Sequence, residues 1–598
     1  MTPFTSYDAI HQFILTESCN SSLLRGYSNS GPAPSTTTPG LDTTASFSTA
    51  SGSATPTYSQ TNAQVAGVDE LDNVKADGTY IYTVTNNTVA VVLAYPTTDA
   101  RLLSRVSVNG SIQGIFIDGN RLAIVTERYQ YYPVPYLATT AKPATSAIAY
   151  PIFPFYSFPE TTSVWIFDVS NHSNPVLTTS LVVNGSLAGA RLIRGFIYVV
   201  ASMPVSCGGP VPVPENIVNG DTMLIAPAQI YHSDIADFSH SFTTVVGIDV
   251  TDQNSTPTAK SFLIGTSSNI YVSISQIYLT EPIWSQVEQT VIHRISIDGP
   301  SIHYQATGTV SGHVLNQFSM DEYNGFFRIA TTDYGNIYPV AAMRFATYVQ
   351  PRLETNLYVL DSSLHITGLL EGLSPGEMFY TARFMGDRAY LVTYQRVDPL
   401  FVIGLQDPSN PKVLGQLEIT GVSDYLQPYD DNHLIGLGKS STNVTWENAA
   451  LFQGLKFSFF DVTDPSHPVD TGNYLAGDRG SDSPALNDHK AVLFDQSLNL
   501  LVVPVEIAKA QANSTYLWSY NPIVWQGAYV FSVTVQNGIV FRGGITQIPS
   551  GQLPNYQDRN LFINRSLYIG NVLYTVSNGM VMMNSLIDLS ELGSVTLS

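Results

Sequence analysis

The residues able to perform acid–base, nucleophilic or metal chemistry are dispersed in this chain of 598 residues. Its 11 histidines stand singly, and the nearest approach to a cluster is His232, Asp234, Asp237 and His240. A divalent metal needs converging ligands, and without a framework to converge them these four read better as a solvated loop. No Gly-X-Ser-X-Gly elbow, His-Glu-X-X-His pair or phosphate loop occurs, so the standard hydrolase readings gain no support. Two acidic groupings, Asp69 with Glu70 and Asp72, and Asp430 with Asp431, have the hard oxygen ligands that calcium prefers. The competing reading is that aspartates in turns accept hydrogen bonds from their own backbone, and it extends to Asp168, Asp249 and Asp461. No other cofactor is implied.

A sharper set emerges from the elements that must carry such residues. After residue 65 the chain becomes short β-rich runs separated by Gly, Pro, Asn and Asp turns. One unit recurs: a polar start, alternating residues, a tight turn, then an apolar strand. Examples are NVKADGTYIY (73–82), IFIDGNRLAI (115–124), RLIRGFIYV (191–199) and SLYIGNVLY (566–574). Further copies lie at 269–278, 317–329, 382–391, 426–437 and 490–502, which makes nine units. Most are followed by another strand and a Pro-containing turn, as in WIFDVS at 165–170 with Pro175 and FDVTDPSHP at 460–468.

A few antiparallel strands cannot bury both faces alone, but a ring of such units can. The expected fold is therefore an all-β propeller of about eight blades, with seven to nine allowed. In a propeller the innermost strands line a central channel, so the polar residues opening the units should converge there. They are Asp72, Gln113, Arg191, Gln317, Tyr380, Gln427, His489, Lys490 and Arg565, with Arg383 close by. Two roles compete for them: blade-to-blade hydrogen bonds that fix the ring, and a ligand site in which buried cations hold an anion.

Outside the ring, Ile10, Phe13 and Ile14 stand at helical spacing after a capping Ser6, which predicts a short helix within an N-terminal segment 1–27. Residues 28–60 are almost wholly Ser, Thr, Gly, Pro and Ala and read as a linker, leaving 61–598 for the propeller. Insertions at 129–159, 204–239 and 516–525 interrupt the repeat. The first is dense in Tyr, Phe and Pro, which suits either a contact surface for a glycan, peptide or subunit or a satellite cluster folded onto a blade.

The stretches TNAQVAGVDELDNVKADG (61–78), NQFSMDEYNG (316–325), VDPLFV (397–402), SDYLQP (423–428) and DHKA (488–491) carry a resemblance. With them the chain resembles an uncharacterised archaeal and bacterial family of secreted proteins that have a C-terminal β-propeller distantly related to WD40 repeats. Gln427 stands where that family's pattern has His, which weakens any metal role there. The resemblance implies fold and export, and no activity.

Bulk composition excludes some partners. Lys and Arg number 26 against 47 Asp and Glu, a net charge of −21 that repels nucleic acid and anionic lipid. No apolar run reaches the roughly 18 residues of a membrane helix. Acceptor sequons occur at Asn20, Asn86, Asn109, Asn171, Asn184, Asn254, Asn443, Asn513 and Asn564, most of them beside expected turns. They point to a glycoprotein outside the cell or on its surface, its export signal removed, that meets a protein or glycan partner there. Cys19 and Cys207 allow one disulfide, contributing roughly 3 to 5 kcal/mol, or two unrelated buried thiols.

The first functional expectation is a non-catalytic extracellular binding or scaffold module. The alternative is an extracellular hydrolase or other enzyme at the channel mouth. Charged residues are only 12% of the chain, so few ion pairs are exposed to acid. Protonating most carboxylates gives at most 26 + 11 = 37 positive charges, a modest load for the length. The chain is therefore expected to be acid-stable and folded near pH 3.

Overall fold

The computed structural model describes residues 1–18, 56–128, 161–205, 213–233, 240–265, 267, 269–284, 288–334, 353–394, 398–444, 449–511 and 519–597. Tight turns organise the described chain. Each of the nine repeat units is a hairpin, and left-handed residues close most of them: Gly78, Gly119, Gly195, Gly325, Gly386, Asn499 and Gly570 all have positive φ. Each hairpin supplies the first two strands of an antiparallel sheet, and the next two strands complete it.

Nine sheets result, at 74–106, 111–184, 186–264, 269–311, 320–373, 378–419, 422–476, 493–545 and 565–596, numbered here as blades 1 to 9. The architecture is a β-propeller, at the upper end of the expected blade range and equal to the number of units counted. The Asp of each DVS or DVT turn caps its own loop, as Asp168 does for Ser170 and Asp461 for Thr463, so those acids are structural.

One apolar cluster fills each of the nine seams. Val89 and Ile115 meet between blades 1 and 2, and Leu391 of blade 6 lies with Leu357 of blade 5. Phe457 and Phe531 join blades 7 and 8. The ring closes where Ile81 and Val92 of blade 1 pack on Tyr574 and Val581 of blade 9. Each such side chain contributes about 1.5–3 kcal/mol by leaving water, so the seams hold the ring. Arginines latch neighbouring blades through backbone carbonyls: Arg294 donates to Ser362 O at 2.6 Å, Arg388 to Val462 O at 3.0 Å, and Arg105 to Leu597 O across the closure.

Blade 1 and blade 9 are each continuous in sequence, so no strand is shared between the chain ends. The helix Tyr7–Phe13 forms as expected, capped by Ser6, and Ile10 and Ile14 pack on Phe242 and Leu263 of blade 3. The strand Thr2–Pro3 pairs beside Ile230–His232 on the outer edge of that blade. The strand ends flanking the three insertions all belong to the link between second and third strands, in blades 2, 3 and 8, so the insertions leave from one face.

Candidate functional site

The chain entering blade 1 first crosses the channel. Residues 56–60, grouped with the linker by composition, instead lie along the inner strand of blade 9. Gly570 N donates to Thr57 O at 2.7 Å and Ser59 N to Tyr568 O at 3.1 Å. Asn62 then donates to Gln427 Oε1 of blade 7 at 3.1 Å and to His489 O at 3.2 Å. Gln64 donates to Gln317 O beside blade 5 at 2.9 Å. Asp69 and Glu70 pair with Leu192 and Arg191 on the inner strand of blade 3, and Asp72 bridges Ile115 of blade 2. Gly114 makes the last approach possible: a Cβ there would lie 2.6 Å from Leu71 Cγ and 3.0 Å from Asp72 O. The segment 56–72 is a strap that follows the inside of the ring nearly all the way round.

The strap carries the acids and the blades carry most of the cations. Glu70, 4% exposed, accepts from Gln64 N at 2.8 Å and Gln317 Nε2 at 3.3 Å. Its other oxygen lies 3.9 Å from Arg191 and 3.5 Å from His489 Nε2. Lys75 reaches Asp69 at 2.6 Å, Thr61 at 2.7 Å and Glu70 O at 2.7 Å. Arg565 joins Asp72 at 2.9 Å and also Asp488, which Lys490 meets at 2.8 Å.

Burial would push the Glu70 carboxyl up, but Arg191, His489 and Lys490 outweigh it and hold the group at about 2. Burial, reinforced by Lys490, pushes the His489 imidazole down to about 3. At neutral pH His489 is therefore uncharged, and Arg191 and Lys490 are the cations that face Glu70 there. Burial lifts Asp488, while Arg565 and Lys490 bring it well below the usual carboxylate range. Burial also lowers Arg383, to about 9, beside Tyr425.

Of the ten residues expected at the channel, Asp72, Arg191, Gln317, Gln427, His489, Lys490 and Arg565 meet in this network. Arg383 is buried next to it. Gln113 and Tyr380 each sit at a β-bulge that shifts the first strand's register, between Ile112 and Gly114 and between Phe379 and Thr381. Gln113 bonds Ser111 O, and Tyr380 packs edge-on against Tyr394. Thr61, Asn62, Gln64, Lys75 and Asp488 escaped the repeat argument, since four of them open no repeat unit and Asp488 precedes one. Their only sequence signal was membership of the long motifs 61–78 and 488–491.

The calcium candidates do not form a cation site: Asp69 is taken by Lys75, Glu70 faces Arg191, and Asp72 holds Arg565. Asp430 accepts from Asn432 N and contacts His433 within its own turn. His232 lies 4.6 Å from the rings of both Phe4 and Phe13, and His240 lies edge-on to Phe13, so both pack with the N-terminal segment. Among the described residues no three His, Cys, Asp or Glu side chains form a metal-binding group. Asp234, Asp237, Cys19, Cys207, Asn20, Asn513 and the insertion 129–159 lie outside the described residues, as does the side chain of Asn443.

Two cavities border the ring's closure. One of about 390 Å³ lies between the strap and blades 1, 2, 8 and 9, with Lys75, Lys490, Arg565, Asp69 and Asp77 in its wall. The other, about 250 Å³, has no charged lining residue.

A nine-sheet ring whose repeats all share one hairpin pattern agrees with the sequence comparison, which matches a family of β-propeller domains over residues 58–589. The chain belongs to the Beta propeller domain family. The domain thus takes up most of the chain and is not confined to a C-terminal part. An uncharacterized protein of Methanocaldococcus jannaschii is 36% identical over 300 residues, covering 50% of this chain and 39% of that protein. The chain therefore aligns with well under half of that relative's length. An uncharacterized Archaeoglobus fulgidus protein is 26% identical over 575 residues, covering 78% of this chain and 80% of its own length.

Solved structures resemble this propeller more distantly. A putative 6-phosphogluconolactonase from Bacteroides uniformis is 11% identical with a TM-score of 0.31, covering 60% of this chain and 92% of its own. Kluyvelomyces marxianus Hsv2 is 9% identical with a TM-score of 0.28, covering 63% of this chain and 93% of its own. Likenesses of that strength transfer no property to this propeller.

Proposed function

We propose that this β-propeller is an extracellular, glycosylated, non-catalytic binding or scaffold module at a cell surface. The observation that carries the reading is the strap. It occupies the channel in which a propeller enzyme would place its reactive groups, and it ties the charged residues there to one another. Asp72 is held by Arg565, and His489 is 1% exposed and neutral, so neither is poised to transfer a proton to a substrate. The enzyme alternative would have to work from the mouth cavity with Lys490, whose ammonium is paired with Asp488.

Further support comes from the distribution of features over the two faces. The insertions leave from one face, and the sequons at Asn86 and Asn109 lie on the same side in exposed turns. An acidic exterior is compatible with this ring, because the arginine latches end on backbone carbonyls, which acid does not protonate over this range.

Labelling intact cells of the native host with a membrane-impermeant amine reagent tests the location. The expected result is a labelled protein carrying glycan on the exposed sequons, and an unlabelled protein released only on lysis would overturn the reading. Hydrolysis of ester, peptide, phosphoester or glycoside substrates that disappears in Lys490→Ala would favour the enzyme.

A further inference from the structure

The smaller cavity is lined by no charged residue, in a chain of net charge −21. It lies at the seam where blade 9 meets blade 1. Four turns or strand starts build it: Asn73 ahead of the first strand of blade 1, the Asn86-Asn87 turn, Asn564 ahead of blade 9, and the Ser577–Asn578 turn. Asn86 and Asn87 both take left-handed backbone, at φ of 48° and 57°, as the two-residue hairpin requires. Thr85 donates to Asn578 O at 2.5 Å and fixes one turn against the other.

Asn87 is committed to the fold: its carboxamide donates to Gly110 O and accepts from Ile112 N. The carboxamides of Asn73, Asn86, Asn564 and Asn578 carry no hydrogen bond among the described residues. Val74, Val84 and Ile112 supply an apolar part of the wall.

From this arrangement we propose that the 250 Å³ cleft binds a neutral saccharide ring. A pyranose has hydroxyls that both donate and accept, and a carboxamide does the same without a charge to desolvate. A pyranose also has C–H surfaces, for which Val74, Val84 and Ile112 give the mostly polar cleft a small apolar part. An anion or a cation would find no counter-charge among the lining residues, whereas the neighbouring 390 Å³ cavity has several. The volume admits one sugar unit with room for its links.

Asn86 and Asn564 themselves head sequons, so the sugar has two possible sources: a free saccharide, or the first unit of a glycan attached at one of these two asparagines. The second source rests on the glycoprotein reading above, and the first does not.

The test uses the full chain made in a host without N-glycosylation, which leaves the cleft open. Saturation-transfer NMR is recorded with glucose, mannose, galactose and N-acetylglucosamine, and with glucuronate as the charged control. The proposal expects transfer to at least one neutral sugar, none to glucuronate, and at least a tenfold loss of affinity in Asn73→Ala/Asn578→Ala with an unchanged circular-dichroism spectrum. In parallel, glycopeptide mapping of protein from the native host reads the occupancy of Asn86 and Asn564. A glycan on one of them whose sugar protons show contacts to Val84 or Ile112 identifies the attached source and also supports the proposal. No transfer from any neutral sugar at 50-fold molar excess, together with bare Asn86 and Asn564 or with glycans making no such contact, would overturn it. Bare asparagines combined with binding of a free sugar would remove the glycan source and leave the site.

Discussion

Replacing Glu70 with Gln is the most direct test of the strap's electrostatics. The carboxyl is 4% exposed and held at about 2, against an ordinary 4.5. That depression corresponds to about 3 kcal/mol favouring the ionised folded state. Because the folded value is depressed, that stabilisation is complete above 4.5 and is lost as pH falls towards 2. Gln keeps an acceptor for Gln64 N, and Arg191 retains Gln317 Oε1 and Ala190 O. The expected loss at pH 7 is therefore about 2–3 kcal/mol, short of the roughly 3–5 kcal/mol for leaving a buried charge wholly unpaired. With an unfolding entropy of about 1 kcal/mol per kelvin for a body of this size, Tm should fall by about 2–3 °C. Thermal melts followed by circular dichroism at pH 7 and pH 2.5 measure this, and the difference should shrink to under about 1 °C at the lower pH. An equal deficit at both pH values would mean that Gln disturbs packing and that the charge is irrelevant. No deficit at pH 7 would mean that the strap does not depend on Glu70.

Gly114→Ala should weaken the strap's approach to blade 2 by about 1–3 kcal/mol, visible as a lower denaturation midpoint, because its Cβ would press on Leu71 and Asp72. Burial pushes the Asp424 carboxyl up to about 7, against the pull of Lys439. The raised value means that stability is lost as pH climbs from 3.8 through 7, so Asp424→Asn should gain about 1–3 kcal/mol at pH 8 and nothing at pH 3, read from melts at both. Mass spectrometry of unreduced protein should find Cys19 joined to Cys207, since Ile14 and Val205 pack in one cluster a few residues from each; two free thiols would refute the link. The strand signal in circular dichroism should persist to pH 3, and its collapse above pH 4 would refute the acid-stability argument.

Local chemistry in the sequence was enough for the blades. A left-handed Gly or Asn, a capping Asp and alternating apolar residues act within a few positions, so hairpins such as 73–82 and turns such as that at Asp461 could be read directly, and their ninefold recurrence implied a ring. The same locality placed the helix after Ser6. Convergence across the ring is not local. Asn62 and Gln427 stand 365 positions apart, Asp72 and Arg565 stand 493 apart, and only closure of the ring brings either pair together. The bulges at Gln113 and Tyr380 insert single residues that periodicity cannot register. Composition assigned 56–60 to the linker because their side chains resemble it, yet backbone hydrogen bonds to the free inner edge of blade 9 order them, and that edge exists only in the folded ring.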